Sequence, residues 1–207
     1  MKFLKQVPTI TVKRCFVVAQ FVRWTKHRKG YLKKTISRGE FQARVAKAQK
    51  KVLTLSRVQL DEIIGNKWEG RLQAYNLCQW YLCKVKPTEV GVWKRAGEMP
   101  LSWTNDSLAD TADHVRRALK SRLKHRKIRA AHDIPGILET SVDIIQSYKY
   151  LLPIVLKGGT EKDARHGLKH QMAGDIDDGC MRSIALTVNG AKSILVYFGI
   201  PKKTIAA

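Results

Sequence analysis

Acidic residues are scarce in this chain, and unevenly so. There are 17 Asp and Glu against 39 Lys and Arg, for a formal net charge of +22. Between Lys2 and Arg57 the sole acid is Glu40. Such a surface repels basic partners and suits a polyanion, because neutralising phosphates releases counterions whatever the base sequence. Long apolar runs are also missing. The longest, around Cys15–Val22 and Leu151–Leu156, are too short to cross a bilayer, so no membrane partner is expected. Gln6, Pro8, Lys13 and Arg14 interrupt the opening segment, and no signal peptide is expected there. Cys15, Cys78, Cys83 and Cys180 fall at scattered spacings. Cys78-x4-Cys83 has no second pair, so no metal-binding set is expected. Reduced thiols in a cytoplasm fit this usage. No internal repeat or low-complexity tract is present.

At 44% hydrophobic and 27% charged residues over 207 positions, a packed core is expected. The charge asymmetry predicts a basic helical module over residues 1–80, attached to a better balanced domain over 81–207. In the module, Val12, Cys15, Phe16, Ala19 and Val22 predict an amphipathic helix over Val12–Trp24. Lys26, His27, Arg28 and Lys29 would stand at its C-terminal end before Gly30. Ser37 with Glu40 is a capping-box pattern that opens a second helix. Its apolar stripe is Phe41, Val45, Ala48 and Val52, and Arg44, Lys47 and Lys51 lie off that stripe as candidate phosphate contacts. A third helix is expected from Ser56 to Ile64. Three such helices permit a helix-turn-helix reading, although a solvated charged face is the commoner role for such a pattern.

Further on, Glu69–Gln79 reads as a helix and Trp80–Val85 as a strand ended by Lys86-Pro87. Ser107–Ala131 predicts one long helix with Leu108, Ala112, Val115 and Leu119 inward. Arg116, Arg117, Lys120, Lys124, Arg126 and Lys127 make it a dense positive surface. Like charges so spaced repel one another along a helix, and a phosphate backbone relieves that cost. The region of about 101–133 is thus read as a basic helical insertion. Ile134-Pro135-Gly136 would end it, a helix would follow over Ile137–Tyr148, and Leu151–Leu156 would be a short strand. Lys157–Ala173 is a polar loop of the length expected for a lid or binding loop.

The most informative stretch is Gly174-Asp175-Ile176-Asp177-Asp178-Gly179-Cys180-Met181-Arg182-Ser183. It reads as strand, tight turn and short helix. Asp177 or Asp178 is expected to cap the helix, Gly190 to close it, and Ile194–Tyr197 to form a strand after it. Arg182 in the first turn, beside unpaired N–H groups and the positive dipole end, suggests an anion site.

The order of these elements resembles the ParB/sulfiredoxin superfamily over about residues 81–200. Val85-Lys86-Pro87-Thr88-Glu89-Val90 is similar to the family's first strand and Lys-Pro turn. Leu151-Leu152-Pro153-Ile154-Val155 resembles its Leu-x-Pro-Ile-Val strand, and Asp178-Gly179-Cys180-Met181-Arg182 resembles its Asp-Gly-x-x-Arg signature. The resemblance implies a small mixed sheet with helices, an α+β fold. It implies that the signature turn holds nucleotide phosphates, CTP or ATP with Mg²⁺. Gly179, Cys180, Arg182 and Ser183 would line that site, and Arg95 of Lys94-Arg95-Ala96-Gly97 resembles the family's Arg/Gly element after the first strand. Met181 stands where the family places a His or Arg.

Three functional expectations follow. The first is a DNA-associated protein of a phage or plasmid, cytoplasmic, that binds nucleotide at the turn and nucleic acid, DNA before RNA, through its basic helices. Comparison with partition proteins makes a homodimer compatible with this. The second is a non-enzymatic nucleic-acid-binding protein whose pocket has decayed. The third is a small nuclease or phosphotransferase using Arg182 and the pair Asp177 and Asp178; over all readings the catalytic candidates are Asp178, Cys180 and Arg182. In a sulfiredoxin-like redox reading, a helix N-terminus and Arg182 would lower the Cys180 pKa and make the thiol nucleophilic.

Overall fold

The computed structural model describes residues 1–22, 25–27, 33–66, 69–157 and 172–202. Its strands are β1 (Lys2–Val7), β2 (Thr25–His27), β3 (Lys33–Thr35), β4 (Cys78–Val85), β5 (Val90–Gly91), β6 (Ile154–Lys157), β7 (Gly174–Asp178) and β8 (Ile194–Pro201). Its α-helices are α1 (Thr9–Phe21), α2 (Arg38–Leu53), α3 (Arg57–Gly65), α4 (Glu69–Leu77), α5 (Leu108–Ala118), α6 (Ala130–Thr140) and α7 (Cys180–Val188). Six strands form one mixed sheet in the order β1-β4-β8-β6-β7-β5, and β2 with β3 forms a separate antiparallel pair. The class is α+β, as expected. Among the described residues, no helix is long and apolar enough to cross a membrane.

The sheet is built on β4 and β8, which pair antiparallel along their whole length, from Cys78 opposite Pro201 to Val85 opposite Ile194. Trp80 is fully buried and faces Gly199 across the pair. A Cβ at Gly199 would lie 2.8 Å from two ring carbons of Trp80. Only a residue without a side chain lets the indole lie flat on the neighbouring strand. Tyr75 meets that ring edge-on at 5.2 Å, and the Trp80 Nε1–H donates to the Tyr75 carbonyl at 3.0 Å. The turn from α4 into β4 is fixed in this way by one aromatic pair.

The N-terminal segment is more than a helical appendage. β1 is the edge strand of the main sheet, antiparallel to β4, and the residue 80/81 boundary expected from charge falls inside β4. A single apolar core runs from Val7 through Phe16, Phe41, Leu60 and Tyr75 to Phe198. Helix α1 starts three residues earlier than expected, at Thr9, directly after Pro8. Pro8 is extended and its carbonyl accepts from the Thr11 N–H at 2.9 Å. Lys26 and His27 lie on a strand and not at a helix end; Trp24 and Arg28–Gly30 are outside the described residues. The cap expected at Ser37 forms, and Ser56 caps α3 in the same way, each hydroxyl accepting from the N–H three residues on.

Two helices differ from expectation. The long basic helix stops at Ala118, where the Leu123 N–H bonds the Ala118 carbonyl at 2.9 Å and Leu123 turns fully inward. This five-residue closure satisfies an end carbonyl, and the apolar contact of Leu123 holds it. The turn also relieves the like-charge crowding that a continued helix would carry. Ile134-Pro135-Gly136, expected as a break, lies within α6. There, burial of Ala130, Ile134 and Ile137 outweighs the proline's missing donor. Helix α6 instead ends at Thr140, whose hydroxyl bonds back to the Gly136 carbonyl at 2.6 Å, while the Val142 N–H closes on Ile137 at 2.9 Å. The strand expected over Leu151–Leu156 begins only at Ile154, after Pro153. Most of the polar loop before β7, residues 158–171, lies outside the described residues.

Filling the space under Trp80 tests this core. Gly199→Val is expected to lower the unfolding free energy by about 1–3 kcal/mol. Urea denaturation followed by Trp fluorescence measures it, and wild-type stability would mean that the indole does not need the gap.

Candidate functional site

Strand β7 delivers its two terminal carboxylates to different places. The β6–β7 register steps from Ile154 opposite Asp178 to Val155 opposite Ile176, leaving Asp177 as the extra residue of a bulge. A bulge of this kind re-aims a side chain and ends the pairing. Gly179 follows with φ +92°, and its own position leaves no room for a side chain. A Cβ there would stand 2.8 Å from an Arg182 guanidinium nitrogen and 3.1 Å from Pro153 Cα. Helix α7 starts at the next residue, with no side-chain cap and no acid in its first turn.

Neither carboxylate caps that helix. Asp177 is buried and accepts from Arg71 of α4, Nε to Oδ2 at 2.8 Å and Nη2 to Oδ1 at 2.9 Å. The Tyr75 hydroxyl donates to its Oδ2 at 2.6 Å. Phe16 and Trp93 carry the Arg71 guanidinium against their rings, at 4.8 and 5.7 Å. Burial works against the Arg71 charge, but Asp177 and Tyr75 hold its pKa above the usual range. Burial likewise pushes the Tyr75 hydroxyl up, with Asp177 adding to it. Asp178 pairs with Arg182 one helical turn on, Nη2 to Oδ2 at 2.7 Å, and Gln20 Nε2 donates to its other oxygen at 3.5 Å.

These pairs form the floor of a cleft of about 620 Å³. Facing them is the loop Trp93–Glu98, in which Arg95, Gly97 and Glu98 all have left-handed backbone, with φ between +59° and +64°. Three such positions in four residues hold strain that the surroundings must fix. The Arg95 N–H donates to the buried Thr104 hydroxyl at 2.7 Å, and Gly97 lies against the Met181 thioether and the Ala130 methyl. Glu98 accepts from the Arg129 N–H at 3.3 Å. The cleft is lined by five cations, Arg71, Lys94, Arg95, Arg129 and Arg182, and by four carboxylates, Glu98, Asp133, Asp177 and Asp178. Arg71, Arg129 and Arg182 are each paired with an Asp. Lys94 and Arg95, both exposed, have no carboxylate partner among the described residues. Two unpaired cations therefore stand at one rim, beside the exposed Glu98 carboxylate and opposite the open N-terminus of α7.

Of the residues expected at the site, Arg95, Asp178, Gly179, Cys180 and Arg182 line this one cleft. Ser183 does not; it is fully buried and its Oγ finds no hydrogen-bond partner. Arg182 is 4% exposed and neutralised by Asp178, yet its Nε lacks a partner. Met181 packs under Gly97 and pins the opposite loop, an apolar task that explains a methionine at that position. Cys180 departs furthest from expectation. Burial pushes its thiol up to about 12, outweighing a backbone hydrogen bond at Trp93, and its Sγ–H donates to the Ile176 carbonyl at 3.6 Å. The lowered pKa that a helix N-terminus suggests is absent because the sulfur is desolvated.

Sequence reasoning missed Arg71, Trp93 and Gln20, and put Arg129 on the basic surface of the Ser107–Ala131 helix instead of in this cleft. The available signal was slight: Arg71 is one arginine in a short helix, and nothing local ties it to a carboxylate 106 positions away. Of the expected nucleic-acid contacts, Arg44, Lys47 and Lys51 lie on α2, where Arg44 pairs with Glu40 and Lys51 sits 4.4 Å over the Phe21 ring. Arg116 and Arg117 are on α5, whereas Lys120, Lys124, Arg126 and Lys127 are on the turn segment after it. Arg116 bonds Asp113 and the Thr187 carbonyl. Among the described residues, no group of three or more His, Cys, Asp or Glu could hold a metal. Comparisons with protein-family models, curated proteins and solved structures find no match to this chain.

Removing the guanidinium that faces Asp177 would leave a buried carboxylate uncompensated. Arg71→Ala is expected to cost about 3–5 kcal/mol in chemical denaturation; a loss below about 1 kcal/mol would show that Asp177 accepts a proton at little cost. The thiol gives a second measure. With Cys180 near 12, its thiolate fraction at pH 8 is about 10⁻⁴. Cys78 and Cys83 are also raised by burial, to about 12 and about 11. Iodoacetamide at pH 8 should leave the native protein unlabelled while all four cysteines react in denaturant. Prompt native labelling of Cys180 would contradict the burial argument.

Proposed function

We propose that this chain is a DNA-associated protein of ParB/sulfiredoxin-like build that holds nucleotide phosphates in the cleft at Gly179–Arg182. One observation carries the reading: two uncommitted cations, Lys94 and Arg95, stand on a strained loop across from an α7 N-terminus that no side chain caps. Unpaired N–H groups, the dipole and a cationic rim are what a phosphate chain requires. The volume of about 620 Å³ is within the range of small-molecule sites. Trp93 on the same wall supplies an aromatic face for a base. The order from β4 through Lys86-Pro87, Pro153-Ile154, the Asp178–Arg182 turn and β8 is consistent with the family resemblance.

The donor set suits phosphate oxygens better than a directly coordinated Mg²⁺, because Asp177 and Asp178 are committed to Arg71 and Arg182. The same commitment favours binding over turnover and leaves the nuclease reading without a free carboxylate pair. A raised thiol leaves Cys180 without the nucleophile's role. The DNA part of the proposal rests on the net charge of +22 and on the exposed cations of residues 117–127. A cytoplasmic setting accords with four free cysteines.

Calorimetric titration with CTP, ATP and GTP tests the cleft. At least one is expected to bind, and Arg95→Ala should weaken it about tenfold or more, the worth of a charge-assisted hydrogen bond. Arg95 is exposed and outside the buried pairs, so that variant leaves the fold intact. Absence of binding by all three, or binding indifferent to Arg95→Ala, sinks the reading.

A further inference from the structure

From Asp113 to Asp133 the chain carries no acid between, and its cations are not arranged as a groove-reading helix. Helix α5 ends at Ala118, so Lys120, Arg122, Lys124 and Lys127 lie on a turn segment, all exposed, with Arg117 just before it. None of these five pairs with a carboxylate among the described residues. A helix laid in a major groove is the usual way to read duplex DNA, and this segment does not offer one. It offers a stack of flat groups. Trp103, on the short turn Leu101–Trp103, lies parallel to His114 of α5, with ring centroids 5.9 Å apart and 7° between planes. The Arg126 guanidinium stands 5.4 Å from the Trp103 ring. Arg117 Nη2 is 3.2 Å from His114 Nδ1, which steadies the imidazole. All three stacked groups are half-buried, so each keeps an edge or face toward solvent.

We propose that the His114–Trp103–Arg126 stack, bordered by the exposed cations of residues 117–127, is a platform for unpaired bases of single-stranded DNA. The inference rests on the DNA association proposed above and narrows it to one strand form and one surface. Aromatic and guanidinium planes take up any base by stacking, and surrounding Lys and Arg track the backbone, a combination suited to single strands. Bases inside a duplex are already stacked on one another and cannot use it. The turn segment continues from Arg126 to Arg129 at the wall of the nucleotide cleft, so a strand on the platform passes beside that cleft.

Fluorescence anisotropy with labelled oligothymidylate, a duplex of the same length and oligouridylate, at low and raised salt, tests this. Wild type is expected to prefer oligothymidylate to duplex. Trp103→Ala should weaken oligothymidylate about tenfold and duplex less than about twofold. Arg126→Lys keeps the charge and removes the planar face, and should reproduce part of the selective loss; Trp103→Phe keeps a ring and should retain most of the binding. If Trp103→Ala fails to fold by circular dichroism, those two variants carry the test. Equal losses on both DNA forms, or none, overturn the platform and leave DNA association standing. Tighter binding of oligouridylate with the same Trp103 dependence overturns the assignment to DNA. Absence of any nucleic-acid binding at low salt overturns both.

Discussion

The buried pair of Arg71 and Asp177 is the contact on which the geometry of the cleft depends. It joins a helix that precedes the central strand to the last turn of β7, across 106 positions of sequence. A buried ion pair seldom adds net stability, since desolvating both groups offsets most of their attraction. Its effect here is positional. Two parallel N–H···O bonds and the Tyr75 hydroxyl leave Asp177 one orientation, and Phe16 with Trp93 leave Arg71 one. With Asp177 held in its bulge, the following residue points the other way. Asp178 is then free to take Arg182, whose guanidinium folds back over the bare Cα of Gly179.

The opposite wall is set by a different kind of force. Left-handed backbone at Arg95, Gly97 and Glu98 is costly, and only Gly97 adopts it readily. The loop is held by the Thr104 hydroxyl at one end, by Glu98 on the Arg129 amide at the other, and by Met181 and Ala130 beneath Gly97. Met181 thus couples the helix of one wall to the loop of the other. A polar residue in its place would face the same apolar gap and need a partner there. The wall's rigidity depends on that side chain being apolar.

Local elements were legible where local chemistry decides them. Ser37 caps, Gly179 turns and Gly190 closes, because each involves residues three or four apart. β7, α7 and β8 follow their own patterning. The edge strand β1 was not legible: Lys2, Phe3, Leu4 and Lys5 are exposed, so they carry no alternation, and only pairing with β4 makes a strand of them. The break after Ala118 was hidden for a related reason. Leu119 and Leu123 continue a helical spacing, and only tertiary burial of Leu123 turns the chain away. At the site, the turn and its Arg182 were visible, but the partners that neutralise them were not. Charge on a sequence says nothing about which charges are already paired in the fold.

That distinction decides what the cleft is suited to. Counting residues alone, five cations against four carboxylates suggest a near-neutral site with little preference for an anion. Pairing leaves that sum unchanged but decides where the free charge sits. Three of the cations cancel three Asp at distances of 2.7–2.8 Å, and Glu98 is engaged by a backbone amide. The charges left are Lys94 and Arg95 against the one carboxylate of Glu98, together with the uncapped α7 amides. Lys94, Arg95 and the α7 amides attract an anion, and Glu98 lies on the same loop. On the reading proposed above, a site whose Asp residues are spent on holding its own arginines suits the holding of a phosphate chain. On that same reading, these electrostatics favour a ligand that is held over a substrate that is consumed.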